Sequence, residues 1–461
     1  MAGIMQKTQF LSSLTKEQKE AIGLLSVGTF LEYFDLMLYV HMAVLLNELF
    51  FPASDPHTAS LITALAFCST FVFRPIGALV FGYIGDNIGR RTTVIITTFM
   101  MACSCLIMAN LPTYEQIGIT AAWLVTLCRI VQGMSSMGEI TGAELYLTES
   151  IKPPIQYPVV SLVAAFATVG TMVALGIATL VTSQGFNWRL AFWFGTCIAL
   201  VGTIARTALR ETPEFTNAKT QLVTVFEDTG INGSNYEKNY VIKNDIKTSI
   251  SYFAIQCAWP ACFYVAYVHC GNILMDSFGY TAGEVIHNNF IVSIAQFISC
   301  LVLTYLSSRI HPLKINKVRI LIFIVFTIIC PFLLNNITST LQMFLLQSFI
   351  VTFAPDNSPA VPVFYKHFTV LKRFTNVCFI YALSRALMYV VVSFGLIYLI
   401  KYFGNIGLLA IMLPITISYL IGLRHFEILE YKAGNYSCKK PRFYLLMSKN
   451  AVEYVNFHSK N

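Results

Sequence analysis

Long apolar stretches dominate this chain and restrict it to folds that form inside a lipid bilayer. A helix needs about 20 predominantly apolar residues to cross the hydrocarbon core, and stretches of this kind recur along the sequence as far as residue 423. With 56% hydrophobic and only 12% charged residues, the chain lacks the polar surface that a soluble domain of 461 residues needs. The sequence therefore predicts an all-α, multi-pass membrane protein.

Twelve transmembrane helices are predicted, in two groups of six separated by a long polar segment. The spans are 21–46, 58–82, 92–110, 118–147, 157–183, 189–208, 249–274, 285–308, 318–335, 340–365, 375–400 and 404–423. The predicted organisation is an N-terminus 1–20, an N-terminal bundle 21–209, a linker 210–247, a C-terminal bundle 248–424 and a tail 425–461. Transporters built from two such bundles bind substrate between them, near the bilayer midplane.

The distribution of basic residues predicts the orientation of the chain. Most of its 31 lysines and arginines fall in alternate loops, and such an excess marks the cytoplasmic side. The exceptions are two residues at the outer edge, Arg189 and Lys401, and three within helices, Arg74, Arg129 and Arg385. Both termini and the linker are therefore predicted to be cytoplasmic.

Several function classes are excluded by what the sequence lacks. The basic residues are spread over loops without a nucleic-acid-binding motif, so the net charge of +8 predicts no nucleic-acid partner. The first span is too long for a cleavable signal peptide. Most of the twelve cysteines fall inside predicted spans without metal-ligand spacing, so no metal, cofactor or disulfide is predicted. No catalytic constellation and no phosphate-binding loop is present, which predicts gradient-driven transport and no enzymatic activity.

A glycine-spaced turn between the second and third predicted helices carries the most specific motif. Residues 73–91 read FRPIGALVFGYIGDNIGRR. Glycines permit tight turning and close helix packing, an aspartate favours a helix N-terminus, here that of the following helix, and the arginines anchor the cytoplasmic side. We predict a cytoplasmic gate formed by Gly82, Gly85, Asp86, Gly89, Arg90 and Arg91.

Two acids in the first helix are candidates for proton coupling. Glu32 and Asp35 are three residues apart, hence on one helical face at mid-depth, with Tyr39 a further turn along. Mutual repulsion and desolvation favour proton uptake by at least one of them. The alternative is a structural pair neutralised by Arg74 or Arg129.

An arginine near the centre of the fourth helix is a candidate substrate ligand. Charges at this depth are costly and usually face a cavity or a partner. Arg129 can bind a substrate carboxylate, modulate the acids of the first helix, or act as a structural counter-ion to Glu139. Arg74 before Pro75 is interpreted as structural, and Arg385 is a further charge within the membrane.

The second half offers a proline-broken helix and a group of aromatic residues. Pro355, Pro359 and Pro362 interrupt the tenth helix around Asp356, and freed backbone groups at this depth are tolerated where they line a cavity. Tyr264 and Tyr267 can cover a small cation by cation–π attraction, although packing or a place in an interfacial aromatic belt is the safer interpretation. The predicted substrate-binding residues are Arg129, Tyr39, Tyr264, Tyr267 and Asp356.

These blocks together resemble the metabolite:proton symporter family of the major facilitator superfamily, which includes proline/betaine and α-ketoglutarate carriers. The resemblance rests on LEYFDLMLY (31–39), the motif at 73–91, and RIVQG with MGE (129–139), with further similarity near residues 187–215. It implies a major facilitator fold, proton-driven import of a zwitterion or organic acid, and a bacterial inner-membrane location. It also implies that Glu32 and Asp35 are the acidic pair, Arg129 the helix-four arginine, and Asp86, Arg90 and Arg91 the gate.

The leading hypothesis is a proton-coupled importer working on small-molecule substrate and protons, with proline- or betaine-type solutes ahead of dicarboxylates. An uncoupled facilitator or a proton-driven exporter on the same fold is the alternative. A non-transporting membrane sensor also stays open, because the junction after the eighth helix lacks the glycines and aspartate of the first-half motif. By analogy with the family, the protein is expected to be a monomer.

Overall fold

The structure is a computed structural model that describes residues 14–51, 68–184, 187–207 and 246–436. All structural statements below concern these residues. Nearly all of the predicted linker, and most of the predicted N-terminus and tail, lie outside them.

The N-terminal half contains six long helices, each of which overlaps a predicted span; residues 58–67 of the second predicted span lie outside the described residues. The helices are α1 (Lys16–Phe50), α2 (Arg74–Asn87, with a further helical turn at 68–72), α3 (Arg90–Asn110), α4 (Ile119–Ser150), α5 (Gln156–Gln184) and α6 (Arg189–Arg206). Within this half, α1 packs along α5 and α4, and α3 packs between α4 and α6.

The C-terminal half repeats this plan with two interrupted segments. Its seventh segment, α7, is built from Ile246–Gln256, Ala258–Phe263, a π-helical turn Tyr264–His269, and Cys270–Phe278. The others are α8 (Ala282–Ser307), α9 (Pro312–Asn335), α10a (Thr340–Phe353), α10b (Val361–Lys366), α11 (Arg373–Phe403) and α12 (Leu408–Lys432).

The hydropathy of the described helices agrees with a membrane location. Seven described stretches are long and apolar enough to cross a bilayer, one of which, Val370–Lys432, contains both α11 and α12. Large apolar side chains such as Trp123 and Ile204 are exposed on the outside, where a lipid-facing surface requires them. The prediction of an all-α, multi-pass membrane protein with twelve helical segments is confirmed.

Two helix pairs make the most extensive contacts between the halves. α5 packs along α8, and α2 packs along α11. The second contact is close because glycines of α2 face the start of α11: a Cβ atom added at Gly82 would lie 2.8 Å from the Cα of Thr375. Small residues at such crossings let helix backbones approach where lipid supplies no hydrophobic driving force.

Candidate functional site

A central cavity lies between the two halves and receives side chains from both. It contains about 870 Å³ of empty space, its opening included. The polar and aromatic residues that line it include Tyr33 and Glu144 from the N-terminal half and Trp259, Asp356, Tyr381 and Arg385 from the C-terminal half. A mostly apolar cleft with a few convergent polar groups is the usual form of a small-molecule site.

Arg385 of α11 is the cation best placed to meet a ligand in this cavity. One terminal nitrogen donates a hydrogen bond to the carbonyl of Gln256, and the guanidinium carbon lies 4.5 Å from the ring centre of Tyr381. The Tyr381 hydroxyl is 3.5 Å from that of Tyr33, which brings α1 and α11 together across the cavity. The remaining guanidinium donors have no partner among the described residues, so they are available to an anionic group.

The break in the tenth helix, predicted from its prolines, is present and places Asp356 at the cavity. α10a ends at Phe353 and α10b begins at Val361. Arg319 of α9 donates to the freed carbonyls of Ala354 at 2.6 Å, Ser358 at 3.1 Å and Thr352 at 3.3 Å. This guanidinium replaces the hydrogen bonds that an intact helix would supply.

The carbonyl of Asp356 is held by two further groups. The Tyr419 hydroxyl donates to it at 2.6 Å and the Asn316 amide at 3.2 Å. The Asp356 carboxylate accepts the backbone N–H of Asn357 at 2.8 Å, and Asp356 is one of the residues that line the cavity.

Arg319 is not one of the three basic residues predicted to lie within helices, but the structure places it inside α9. α9 begins at Pro312, six residues before the predicted start, so Arg319 lies inside the helix, is 7% exposed and lines the cavity. A basic residue near the start of a helix usually anchors the cytoplasmic side of the membrane, and this rule favoured that role for Arg319.

Glu144 of α4 also lines the cavity, and the sequence pattern did not identify it as a site residue. It is 4% exposed, and its Oε2 accepts a hydrogen bond from the Tyr365 hydroxyl of α10b at 2.7 Å. This hydrogen bond joins the two halves of the molecule.

The predicted ligand Arg129 lies inside the N-terminal half and does not line the central cavity. Its guanidinium carbon is 3.8 Å from the ring centre of Tyr39, and Nη1 donates to Gln132 at 2.9 Å. Asp35, on the neighbouring helix, accepts the thiol hydrogen of Cys105 at 3.0 Å. All are nearly inaccessible, so Asp35, Tyr39 and Arg129 form a buried charged cluster beside the cavity. We call it the α1–α4 cluster.

The two acids of α1 contact different elements. Glu32 Oε2 accepts the backbone N–H of Ile140 in α4 at 2.9 Å, whereas Asp35 contacts α3. No ion pair within 4.0 Å joins either acid to Arg74 or Arg129 in the described part of the chain. Arg74 lies 4.6 Å from the Phe71 ring centre, and the side chain of Glu139 lies outside the described residues.

The predicted aromatic ligands of α7 lie beside the cavity. The Tyr267 hydroxyl donates to Gln296 at 2.7 Å, and Tyr264 is partly buried one turn earlier. Neither lines the cavity, whereas Trp259 and Phe263 of the same segment do. The π-helical turn, which hydropathy does not reveal, shifts the face that α7 presents.

The predicted gate residues meet the opposite half of the molecule. Asp86 accepts hydrogen bonds from the backbone N–H groups of Phe374 at 3.2 Å and Thr375 at 2.9 Å, and from the Thr375 hydroxyl at 2.6 Å. The carboxylate therefore sits at the N-terminus of α11, where the helix dipole favours negative charge. It had been expected at the following helix, α3. A Cβ at Gly85 would lie 2.9 Å from the Phe374 ring, which explains the second glycine.

The remaining gate residues form the turn into α3. Gly89 adopts φ 149°, in the region that favours glycine, and precedes the first turn of α3. Arg91 donates to the carbonyl of Thr207 at 2.5 Å after the end of α6, and the side chain of Arg90 lies outside the described residues. A buried ion pair between Arg373 and Glu149, 3.2 Å apart, closes the same end of the molecule.

Comparisons with known proteins were made for the whole chain. The family model described as Major Facilitator Superfamily matches residues 25–368. The chain is 36% identical over 197 residues to the inner membrane metabolite transport protein YhjE of Escherichia coli strain K12. It is 34% identical over 205 residues to the glycine betaine/proline/ectoine/pipecolic acid transporter OusA of Dickeya dadantii. These alignments cover 41% and 43% of this chain and 45% and 41% of the two relatives, so the chain spans less than half the length of the curated relatives it matches.

Solved structures share the whole fold at low identity. The proton:xylose symporter XylE bound to a bromodeoxyglucose superposes with a TM-score of 0.70 at 15% identity, over 90% of this chain and 95% of that one. The transporter FucP in its outward conformation superposes with a TM-score of 0.61 at 16% identity, over 88% and 98%.

Proposed function

This chain belongs to the major facilitator superfamily, and we propose that it is a proton-coupled secondary transporter that imports a small zwitterionic or organic-acid metabolite by alternating access. Proline- or betaine-type compatible solutes are the favoured substrates. The observation that carries the proposal is the central cavity, which lies between the two halves and presents both a guanidinium and carboxylates.

The charges of the cavity suit a zwitterion better than a dicarboxylate. Arg385 offers donors to a carboxylate, and planar guanidinium groups bind carboxylates with two parallel hydrogen bonds. Asp356 and the ring of Trp259 offer a carboxylate and an aromatic face to an ammonium group. A dicarboxylate would place its second charge against Asp356 and Glu144, which repel it.

The α1–α4 cluster is the proposed site of proton coupling. Asp35 is almost fully buried and has no cation within ion-pair distance in the described part of the chain. Burying an unpaired carboxylate as a charge is costly, and uptake of a proton removes that cost. Arg129 lies close enough to respond to that charge. Glu32, bonded to the backbone of α4, can transmit the change to the second helix of the cluster.

The bundles 21–209 and 248–424 are the two units that we propose to move against each other. Asp86 at the start of α11 and the Arg373–Glu149 pair would hold one end shut, and breaking them would open the cavity at that end. We further propose a bacterial inner-membrane location and a monomeric transporter, in keeping with the inner-membrane relative.

Uptake into proteoliposomes tests the proposal. Labelled proline, betaine and α-ketoglutarate are supplied with and without an imposed proton gradient and membrane potential. One positive charge moving inward gains roughly 2.3 kcal/mol per 100 mV, about fifty-fold accumulation of a neutral zwitterion. Accumulation should collapse with a protonophore. Flux that only equilibrates would indicate a facilitator, gradient-driven efflux an exporter, and binding without flux a sensor.

The coupling residues are tested in the same vesicles. Asp35→Asn and Glu32→Gln remove one titratable group each with little change in size. We expect Asp35→Asn to abolish accumulation while substrate exchange continues, because exchange needs no net proton movement. Unchanged dependence on the proton gradient in both variants would show that coupling does not run through this pair.

A further inference from the structure

Glu144 is a buried acid that lines the cavity. Proton coupling through the α1–α4 cluster does not involve it. It lies on α4 six residues before the helix ends at Ser150, about 9 Å along the axis at 1.5 Å per residue. It therefore sits between the cavity and the end that Asp86 and Arg373 close. Its hydrogen-bond donor, Tyr365, is fully buried in the opposite half.

The surroundings of Glu144 contain no cation in ion-pair contact with it within the described ranges. The titratable and charged groups that face it are Tyr365 of α10b, Tyr252 of α7, Asp356 at the break and Arg385 of α11; Tyr33 of α1 lines the same cavity. The carboxylate of Asp356 disfavours a negative charge on Glu144, and the guanidinium of Arg385 favours that charge from a distance. A charged carboxylate in such a place is costly, and uptake of a proton or a ligand cation offsets that cost.

A chain of contacts connects this acid to the proposed substrate ligand. The Tyr252 and Tyr365 rings meet edge to face with centroids 6.1 Å apart, and the Gln256 amide donates to the Tyr252 hydroxyl at 2.5 Å. The carbonyl of the same Gln256 accepts from Arg385. A change in the charge of Glu144 can therefore reach Arg385, the residue that would hold the substrate, through a series of direct contacts.

We propose that Glu144 is a second proton-binding residue of the transport cycle, whose charged form ties the two halves together through Tyr365 and whose protonation releases them. A hydroxyl donates more strongly to a carboxylate than to a carboxylic acid, so the tie is strong when Glu144 is charged. A proton entering from the cavity weakens it and favours opening of the end closed by Asp86. The inference rests on the proposed proton-coupled transport and assigns a further residue to it.

Substrate counterflow at equal pH on both sides of the vesicle isolates this step from the driving force. The exchange rate is measured between about pH 5 and pH 9, the range in which buried carboxylates titrate. We expect the wild type to exchange faster at acid pH. Glu144→Gln, which mimics the protonated acid, should keep the fast rate across the range. Tyr365→Phe keeps the acid but removes the donor of the tie, so it should also exchange at the fast rate across the range.

Matched variants separate this role from others. Tyr381→Phe removes a hydroxyl from the same cavity without contacting Glu144, and its midpoint should stay at the wild-type value. In an Asp35→Asn background the pH dependence that remains should vanish when Glu144→Gln is added. A wild-type pH profile in either Glu144→Gln or Tyr365→Phe overturns the inference while leaving the proposed function standing. Absence of exchange in the wild type for every substrate overturns the proposed function and this inference with it.

Discussion

Gly133 of α4 determines how closely α2 and α4 approach one another. A Cβ added there would lie 2.0 Å from the carbonyl oxygen of Thr70, a distance that real side chains do not adopt. We predict that Gly133→Ala lowers stability by about 1–3 kcal/mol, because the backbones must move apart. Thermal unfolding in detergent measures the effect.

Gly23 provides the matched control for this substitution. It lies in α1, and a Cβ there would meet nothing within 4 Å. Gly23→Ala is expected to be neutral or stabilising by about 0.5–1 kcal/mol, because alanine loses less conformational entropy in a helix. Equal melting temperatures for the two variants would show that the α2–α4 contact does not depend on the glycine.

At the scale of single residues, the sequence revealed charges but not their depth. Asp35, Arg129 and Asp356 were identified because a charge within an apolar run stands out. Glu144 and Arg319 were not, because each lies within two or three turns of a helix end, where an acid or a base is usually solvated. Whether Arg129 or Arg385 faces the cavity depends on the rotation of each helix about its axis. Packing in the folded protein determines that rotation, and local pattern does not.

Among the elements, the broken tenth helix depends on one buried guanidinium. Arg319 satisfies three carbonyls that the break releases. We predict that Arg319→Gln lowers stability by about 2–4 kcal/mol, since buried carbonyls left without donors cost about 1–3 kcal/mol each and glutamine can serve only some of them.

The thermal unfolding of Arg319→Gln is compared with that of Arg309→Gln. Arg309 is exposed before α9, and its guanidinium carbon lies 5.9 Å from the Tyr305 ring centre. Its removal should change stability little, because an isolated surface charge contributes little. A similar loss in both variants would mean that a general charge effect, and not support of the break, is responsible.

The contact of Asp86 with α11 makes opening at this end measurable with a native thiol. Cys378 lies one turn into α11, is 1% exposed and donates to the carbonyl of Met137 in the other half. Asp86→Ala removes a capping carboxylate, an effect of about 1–2 kcal/mol. We therefore predict a roughly 5–30-fold faster alkylation of Cys378 by a membrane-permeant maleimide.

Mass spectrometry of the Cys378 peptide measures the alkylation rate, and Asn87→Ala is the control. Asn87 is exposed at the end of the same helix, where its amide donates to the carbonyl of Tyr83. We expect alkylation there at the wild-type rate. If Asp86→Ala also reacts at that rate, the contact does not hold the two halves together.

Hydropathy predicts the helix boundaries well where helices end in turns. It fails where a helix extends beyond its apolar run. The break near Asp356 was predicted because proline removes a helical hydrogen bond and clashes with the preceding turn. α12 continues to Lys432, nine residues past its predicted end, because the polar last turns are held by contacts. Lys317 binds Glu427 at 2.9 Å, and His367 binds Glu430 at 2.8 Å. Such partners are distant in sequence, so no local pattern reveals them.

For the whole molecule, the twelve-helix plan follows from the apolar spans, but its direction across the membrane follows only from the positive-inside rule. That rule predicts that the α4–α5 turn is cytoplasmic and the α11–α12 turn external. Lys152 and Lys401 are exposed at these two turns. They therefore offer one site on each side of the membrane.

Cysteine substitution at the two turns tests the orientation in intact cells. We predict that Lys401→Cys reacts with a membrane-impermeant maleimide from outside, whereas Lys152→Cys reacts only after permeabilisation. Labelling of the unsubstituted chain gives the background from native thiols. Among the cysteines that the structure describes, Cys197 is the exposed one. Reaction of Lys152→Cys alone would invert the topology. Asp86 and Arg373 would then close the external end, and the charged form of Glu144 would resist opening to the outside.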